Sequence, residues 1–316
     1  MTTPYALGAI RSTEDERDYS LAQLPGFEAP IVLPTSYLPK VAWTILDQGQ
    51  APACVGFSAA GDTQIRTDLD YSAEAVFDGL EAYELAKRLD GNTSDGTSIR
   101  QEINVRLQTG LRVVKDILGA LGVGAREKIT AYARLNSILD IKTAIATYGS
   151  AWIAADWAQA WFTPGPRNTL RPFDTAAGGH AFLFVGYDDS HVNFDGTTGA
   201  FLLQNSWGAS WADGGRVWFP YNYLTPAIGW EAWRTTTAPV ASAAVFVASG
   251  PDVKTATLID AVRLIAADGS TVIPTPRVYQ TAEAGHIVAG RYQGPAHSVT
   301  QGGVTLYLLD RNAKLS

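Results

Sequence analysis

The chain has one cysteine, one methionine and four histidines in 316 residues. A lone thiol excludes an internal disulfide, so the fold must hold without covalent staples. The histidines, at positions 180, 191, 286 and 297, are scattered, and none falls in a pair at metal-ligand spacing. No glycine-rich phosphate loop precedes a helix, so neither a metal nor any other cofactor is expected. Charge is scarce too, at 17% of residues against about 25% in an average soluble protein. A net charge of −7 without any Lys/Arg-rich block argues against a nucleic-acid partner, because phosphate neutralisation needs clustered cations. No apolar run approaches the roughly 18 residues that would span a bilayer. The opening Met1-Thr-Thr-Pro-Tyr5 lacks a basic stretch followed by an apolar one, so no secretory signal is expected and a cytoplasmic or virion-associated location is.

What the chain does have is apolar residues, 46% of the total, enough for one large domain or one domain with a smaller companion. Residues 1–40 read as an irregular N-terminal extension in which the run Glu14–Asp18 is a solvated lead-in. From Cys54 to Thr67, Val55, Phe57, Ala59, Ala60 and Ile65 fit one helical face. Further helices are expected over Ala73–Leu89, Ser98–Leu107 and Leu139–Thr147. After residue 150 the pattern turns to strands: Ala151–Ala154, His180–Tyr187, Ala200–Asn205 and Arg216–Phe219. Helices first and strands second indicate an α+β plan of two segregated layers rather than an alternating parallel sheet.

Thr235–Pro239 reads as a linker. Beyond it, short strands are expected at Ala243–Ala248, Thr257–Ala266, Ser270–Ile273, Ile287–Tyr292 and Val304–Leu309, with Asp268-Gly269 as a hairpin turn. The expected organisation is an extension (1–40), a main domain (41–238) and a small β domain (239–316), which is either a docking module to a larger assembly or an extension that stabilises the main domain.

Cys54 stands where the loop Asp47–Ala53 gives way to the first helical run. Unpaired N–H groups and the macrodipole at a helix N-terminus favour a thiolate. A thiolate so placed needs an imidazole to pair with, and later to protonate a leaving amine. His180, which opens an apolar strand after Gly178-Gly179, is the candidate. If the next strand pairs with it, Asn205 can hold the ring through a hydrogen bond, as the third member of a triad does.

Three blocks carry a resemblance. Asp47-Gln-Gly-Gln50 leads to Cys54 and then Phe57-Ser-Ala59. Gly179-His180-Ala181 is followed by Gly186-Tyr187. Gln204-Asn-Ser-Trp-Gly208 is followed by Trp211 and Gly214-Gly215. In this order they resemble the papain-like cysteine peptidases over roughly residues 15–235. Arg17-Asp18-Tyr19 and Asp95-Gly-Thr-Ser-Ile-Arg100 look like the bacterial or phage branch. The resemblance implies a papain-like α+β fold, a helical layer facing a β-rich layer, and hydrolysis of a protein or peptide substrate. It implies Cys54 as nucleophile, with its own N–H and the Gln48 side chain forming an oxyanion hole. His180 is then base and acid, Asn205 orients it, and Trp207 screens the His–Asn bond from water. The usual disulfide partner three residues before the nucleophile is Ala51 here, and Val55 replaces a common tryptophan. The family's usual helical inhibitory pro-segment is not expected, because 53 residues precede Cys54; either the enzyme is not held as a conventional zymogen, or residues 1–40 perform a smaller version of that task. The long His180–Asn205 interval suggests an extended hairpin at Asp188–Gly196, a solvated loop rather than a calcium site. A peptidoglycan-cleaving amidopeptidase would use Cys and His in the same order, but Asn205-Ser-Trp-Gly208 and the Gln48 spacing favour the papain type. A virion component that has kept the fold is the non-enzymatic alternative.

Overall fold

The computed structural model describes residues 5–236 except 17, 25–32, 40–42, 72–73, 92, 117–118, 120 and 226–228; beyond 236 it describes the backbone of a set of strands. The chain divides into two compact units, Met1–Thr236 and Thr237–Ser316.

The first unit opens with two short strands, β1 (Ala9–Ile10) and β2 (Ser36–Tyr37), before the long helix α1 (Cys54–Tyr71). Then come β3 (Ala75–Phe77), α2 (Gly79–Asp90), β4 (Thr97–Ser98) and α3 (Ile99–Gln108). The single helix expected over Ala73–Leu89 is therefore a strand and a helix. Val76 and Phe77 pair with β5 (Leu111–Asp116), and Asp78 then caps α2 by accepting from the Glu81 N–H at 3.0 Å. An acceptor side chain at this point starts a helix rather than continuing one. After β6 (Arg126–Glu127) and β7 (Ala131–Arg134), α4 (Ile138–Tyr148) starts at the Ser137 cap and stops at Gly149. Gly149 takes a φ of 84°, which an L side chain would resist.

The second half is mostly strand: β8 (Ala151–Ala158), β9 (Ala176–Val192), β10 (Thr198–Gln204), β11 (Arg216–Pro220) and β12 (Gly229–Thr236). They form one antiparallel sheet in the order β11-β10-β9-β8-β12-β7, with β2 added on β9. The expected hairpin is present, but β9 runs to Val192 and β10 begins at Thr198, so it is a paired ribbon with a short tip. Among the described residues no three His, Cys, Asp or Glu side chains gather as a metal would require, and no helix is long and apolar enough to cross a membrane.

Alternation along β9 supplies two cores. Phe182 and Phe184 join Trp157, Trp161, Phe201 and Phe219 in one cluster. Ala181, Leu183 and Val185 join α1, α2 and α3 in the other, as a period-two strand buried on both faces dictates. Helix α1 departs from its expected single apolar face, because Asp62, Thr63, Gln64, Arg66 and Thr67 are buried as well. Burial of so much polarity is tolerated because each of these side chains makes at least one hydrogen bond. Thr63 and Thr67 bond back to carbonyls one turn earlier. Asp62 receives Arg106 at 2.9 Å, Arg234 at 3.0 Å, and the hydroxyls of Ser150 and Thr235 at 2.7 Å. This knot ties α1 to α3, β8 and β12. Burial opposes the Asp62 charge, but the two guanidiniums and two hydroxyls outweigh it and hold the carboxyl far below its ordinary range.

In the run Glu14–Asp18, Glu14 and Glu16 are exposed as expected, but the described residues around it are tied into the unit. Ser12, Leu21 and Leu24 are buried, and Asp18, expected in a solvated run, meets Arg100 at 2.5 Å with 7% of its side chain exposed. Thr235 and Thr236, expected to begin a linker, are the end of β12; residues 237–239 lie outside the described residues. In the second unit the strands are β13 (Val245–Thr257), β14 (Leu264–Ala266), β15 (Thr271–Val272), β16 (Val278–Ala289), β17 (Tyr292–Gln301), β18 (Val304–Leu309) and β19 (Lys314–Leu315); β18 has the expected bounds, β14 and β15 are shorter than expected, and β13, β16 and β17 are long strands. They form an antiparallel sheet in the order β15-β14-β18-β17-β16-β13-β19. The turn expected at Asp268-Gly269 lies outside the described residues.

Candidate active site

Cys54 is the first residue of α1 and is fully buried. Its sulfur is approached by the backbone N–H groups of Ala181, Gly8, Val55 and Cys54 itself. Ala181 directly follows His180, so the helix start and β9 meet at the thiol.

The geometry fixes the state of the imidazole. Asn205 Oδ1 accepts the Ser206 N–H at 2.8 Å and lies 2.8 Å from His180 Nε2. An atom already accepting from an N–H is the amide oxygen, so Nε2 carries the proton. In the neutral ring the lone pair is then on Nδ1, a buried atom with no hydrogen-bond partner among the described residues. Two indoles pack against the imidazole: the rings of Trp207 and Trp157 both lie 4.9 Å from that of His180 and 5.1 Å from each other. Trp157 lies three residues beyond the strand expected at Ala151–Ala154, in the observed continuation of β8, and escaped the sequence reading because an aromatic beside an apolar strand carries no signal beyond core packing.

Gln48 is held from two directions. Its N–H donates to Ser206 O at 2.8 Å, and its side-chain Oε1 accepts from Ser206 Oγ at 2.7 Å. The amide is thereby oriented so that Nε2 donates outward, here to Ala51 O at 2.8 Å and Ala6 O at 3.2 Å. Asp47 bridges to Trp207, and Gly208 N donates to Leu46 O at 3.0 Å. The loop before the cysteine and the loop after the asparagine are thus one unit. Ser206 orients Gln48 through its Oγ–Oε1 bond, a contact the sequence did not disclose, since nothing in its spacing shows which side chain it meets.

The N-terminal segment lies in the cleft between these elements. Tyr5 stacks on Trp207 with centroids 4.4 Å apart and planes 7° from parallel. Gly8 donates to Gly179 O at 3.1 Å and accepts from Thr97 N at 2.9 Å. Ala9 and Ile10 pair in parallel with Thr97 and Ser98. The passage is too narrow for side chains: a Cβ on Gly8 would come 2.1 Å from Pro52 O, and one on Gly96 would come 2.2 Å from Gly8 O.

This covering strand explains a departure from the expected thiolate–imidazolium pair. Complete burial pushes the Cys54 thiol up to about 11, against the pull of the four N–H groups. Burial likewise pushes His180 down to about 4, the bond to Asn205 opposing it. Loss of solvent disfavours both charges, so both groups are neutral while the strand is in place.

No protein-family model and no curated protein sequence matches the chain. Among solved structures it is similar to xylellain, a cysteine protease from Xylella fastidiosa, with a TM-score of 0.60 and 22% identity over 74% of this chain and 97% of that one. It is similar to digestive procathepsin L 3 of Tenebrio molitor larval midgut, with a TM-score of 0.54 and 17% identity over 74% and 76%. It also matches the cysteine protease and lectin-like domains of Cwp84, a surface layer associated protein of Clostridium difficile, with a TM-score of 0.52 and 16% identity over 91% and 78%. The fold is papain-like α+β, a helical layer led by α1 against the large antiparallel sheet.

Proposed function

We propose that the chain is a cysteine peptidase acting through Cys54, His180 and Asn205. The observation that carries this reading is the His180 Nε2–Asn205 Oδ1 bond at 2.8 Å, which leaves the Nδ1 lone pair free next to the residue whose N–H meets the Cys54 sulfur. In the open cleft, Nδ1 takes the thiol proton as the sulfur adds to the substrate carbonyl carbon. The Cys54 N–H and Gln48 Nε2 stabilise the oxyanion. As the C–N bond breaks, the imidazolium gives its proton to the leaving amine. Water, deprotonated by Nδ1, then hydrolyses the thioester, releasing the acid and restoring the thiol. Trp207 and Trp157 keep water from the His–Asn bond, so the ring holds its orientation through the cycle.

Hydrolysis of a denatured protein substrate by purified variants tests these roles. Cys54→Ala and His180→Ala should abolish turnover, whereas Asn205→Ala should leave residual activity. A fully active His180→Ala would end the mechanism. Release of wall fragments from sacculi with no hydrolysis of protein would move the substrate to peptidoglycan and favour the amidopeptidase.

For the second unit we propose an attachment role. The similarity to Cwp84, a protease joined to a lectin-like domain, covers 91% of the chain, more than residues 1–236 alone account for. All the proposed catalytic groups lie before residue 237. Deletion of residues 237–316 should therefore leave hydrolysis intact and abolish retention on the host assembly; lost hydrolysis would refute the division of labour.

A further inference from the structure

Trp152 and Ser58 take no part in the proposed chemistry, yet both are buried, at 0% and 3% exposure, and they meet beside the nucleophile. Ser58 lies one turn after Cys54 on α1. Its Oγ donates to Cys54 O at 2.7 Å, with Val55 O next at 3.0 Å. Such a bond back along the helix is a local habit of α1, repeated at Thr63 and Thr67. At Ser58 a second bond is added from outside the helix. Trp152, on β8, donates its Nε1–H to Ser58 Oγ at 2.7 Å. A hydroxyl has one proton to give. With the oxygen engaged by the indole, that proton is left facing the carbonyl.

The carbonyl that receives it is half of a peptide unit whose other half reaches the sulfur. Cys54 C=O and Val55 N–H share one rigid plane. The Val55 N–H is among the four that approach the Cys54 sulfur. It is also one of the groups that a helix start leaves without an intrahelical acceptor. Three donors therefore stand in series: indole N–H to hydroxyl, hydroxyl to carbonyl, peptide N–H to sulfur. Each turns the positive end of its dipole towards the thiol, and bonds in series polarise one another.

The far end of the series is anchored as well. The Arg106 guanidinium lies over the Trp152 ring at 5.6 Å and is bound to Asp62. On β8 itself Ala155 pairs with His180, so the strand that carries the indole also positions the proposed base. Burial alone asks for less than this. A buried indole N–H needs an acceptor, but any carbonyl would serve. Here the acceptor is the hydroxyl that grips the nucleophile's own peptide.

We propose that Ser58 and Trp152 are positioning residues for Cys54: the indole sets the hydroxyl, the hydroxyl holds the Cys54 carbonyl, and the peptide so held aims the Val55 N–H at the sulfur. The proposal rests on the reading of Cys54 as the nucleophile and deepens it. Its consequence is electrostatic, because a thiolate that loses part of this support forms only at higher pH. The titratable and charged groups on the elements around the thiol are untouched by the substitutions that follow. They are His180 on β9, Asp47 in the loop before α1, Tyr83 on α2 behind Gly56, and Glu102 on α3. About two turns along α1 stands Asp62 with Arg106 and Arg234.

The full chain carrying Gly8→Val provides the test, because a side chain at position 8 cannot pass Pro52 and the strand over the thiol is displaced. Alkylation of Cys54 by iodoacetamide is followed by intact mass from about pH 4 to about pH 10, a range that spans perturbed and ordinary thiols. In this background Ser58→Ala should raise the midpoint of the profile by about half a pH unit, which is about threefold slower alkylation below it. Trp152→Phe keeps a ring under Arg106, so a rise in its midpoint reads the lost N–H. Ser58→Thr keeps the hydroxyl and should keep the parent's midpoint, since threonines make the same bond elsewhere in α1. The plateau above the midpoint should not move. Equal midpoints in all four proteins would overturn the relay. A lowered plateau with a fixed midpoint, the mark of a merely structural change, would do the same. Raised midpoints in a chain that hydrolyses no peptide would uphold the relay and sink the peptidase reading instead. Unshifted midpoints in an active enzyme would do the reverse.

Discussion

Ser206 Oγ donates a 2.7 Å hydrogen bond to Oε1 of Gln48, a residue 158 positions away in sequence. This bond decides which end of the Gln48 amide faces the cleft. Without it the amide can turn over and present a carbonyl oxygen where negative charge is to develop. Ser206 is therefore a positioning residue for the proposed oxyanion hole.

Loss of a whole oxyanion donor typically costs about a hundred- to a thousandfold in rate, and Gln48→Ala should fall in that range. Ser206→Ala leaves the donor present but unoriented, so a smaller drop, about tenfold, is expected in kcat with little change in KM. Thr at the same position, keeping a hydroxyl, should recover part of the loss. The check is steady-state kinetics of the four proteins on one peptide. Equal kcat for Ser206→Ala and wild type would remove the orienting role.

The Asp62 knot gives a stability prediction. Asp62 is 1% exposed and joined to Arg106, Arg234, Ser150 and Thr235. Asp62→Ala leaves two buried guanidiniums without their carboxylate, and breaking a buried pair from one side costs about 3–5 kcal/mol. The urea midpoint should fall accordingly. A loss under about 1 kcal/mol, the scale of an exposed pair, would show that the arginines find other partners.

The same helix shows how far sequence reading reaches. The strands His180–Tyr187 and Ala200–Asn205 were legible from apolar runs bounded by turn residues, and their pairing carried His180 to Asn205. The start of α1 at Cys54 was legible too, from the change of pattern after Ala53. Illegible was the burial of Asp62, Gln64 and Arg66, because a polar residue in a helix ordinarily signals a solvated face. Only partners from outside the helix make that burial tolerable: Arg106 and Arg234 for Asp62, Thr44 and Glu74 for Gln64, and Glu127 for Arg66. The break at Asp78 went unseen for a related reason: Val76 and Phe77 suit a helix core and a strand alike, and their partner β5 lies outside any local window. The N-terminal strand lacked a signal altogether. Its hold on Gly179 and Thr97 runs through backbone atoms, which every residue carries.

Residues 1–236 should fold as a unit. Both hydrophobic clusters are built from residues of this span, and its last strand, β12, supplies Trp233, Arg234 and Thr235 to the core and the Asp62 knot. A chain ending at Thr236 should be soluble, melt in one transition and keep Cys54, which is fully buried, slow to alkylate. A chain ending at Ala232 should fail to fold, having lost four buried residues from β12. A cooperative melt for the shorter chain would show that β12 is dispensable.

Glu102 carries the final prediction, a dependence of stability on pH. It lies on α3 with no exposed surface, and neither carboxyl oxygen has a hydrogen-bond partner among the described residues. Burial pushes its pKa up to about 8, against the attraction of Arg106. The folded protein therefore keeps a proton on Glu102 that the unfolded chain gives up above about 4.5, the ordinary value. A state that holds the extra proton is favoured at low pH: the contribution is fully present below 4.5 and is lost as pH rises through 8. The slope should approach 1.4 kcal/mol per pH unit between those limits. His180, pushed down to about 4, works in the opposite sense between 4 and 6.5, so the total profile mixes the two. Glu102→Gln isolates the first, since it keeps the shape of a protonated Glu, cannot ionise and leaves His180 untouched. Relative to wild type the variant should gain stability steadily from about pH 5 to pH 8, read as the difference in urea midpoints. Parallel profiles for the two proteins would mean that Glu102 is ionised in the fold and paired with Arg106 after all.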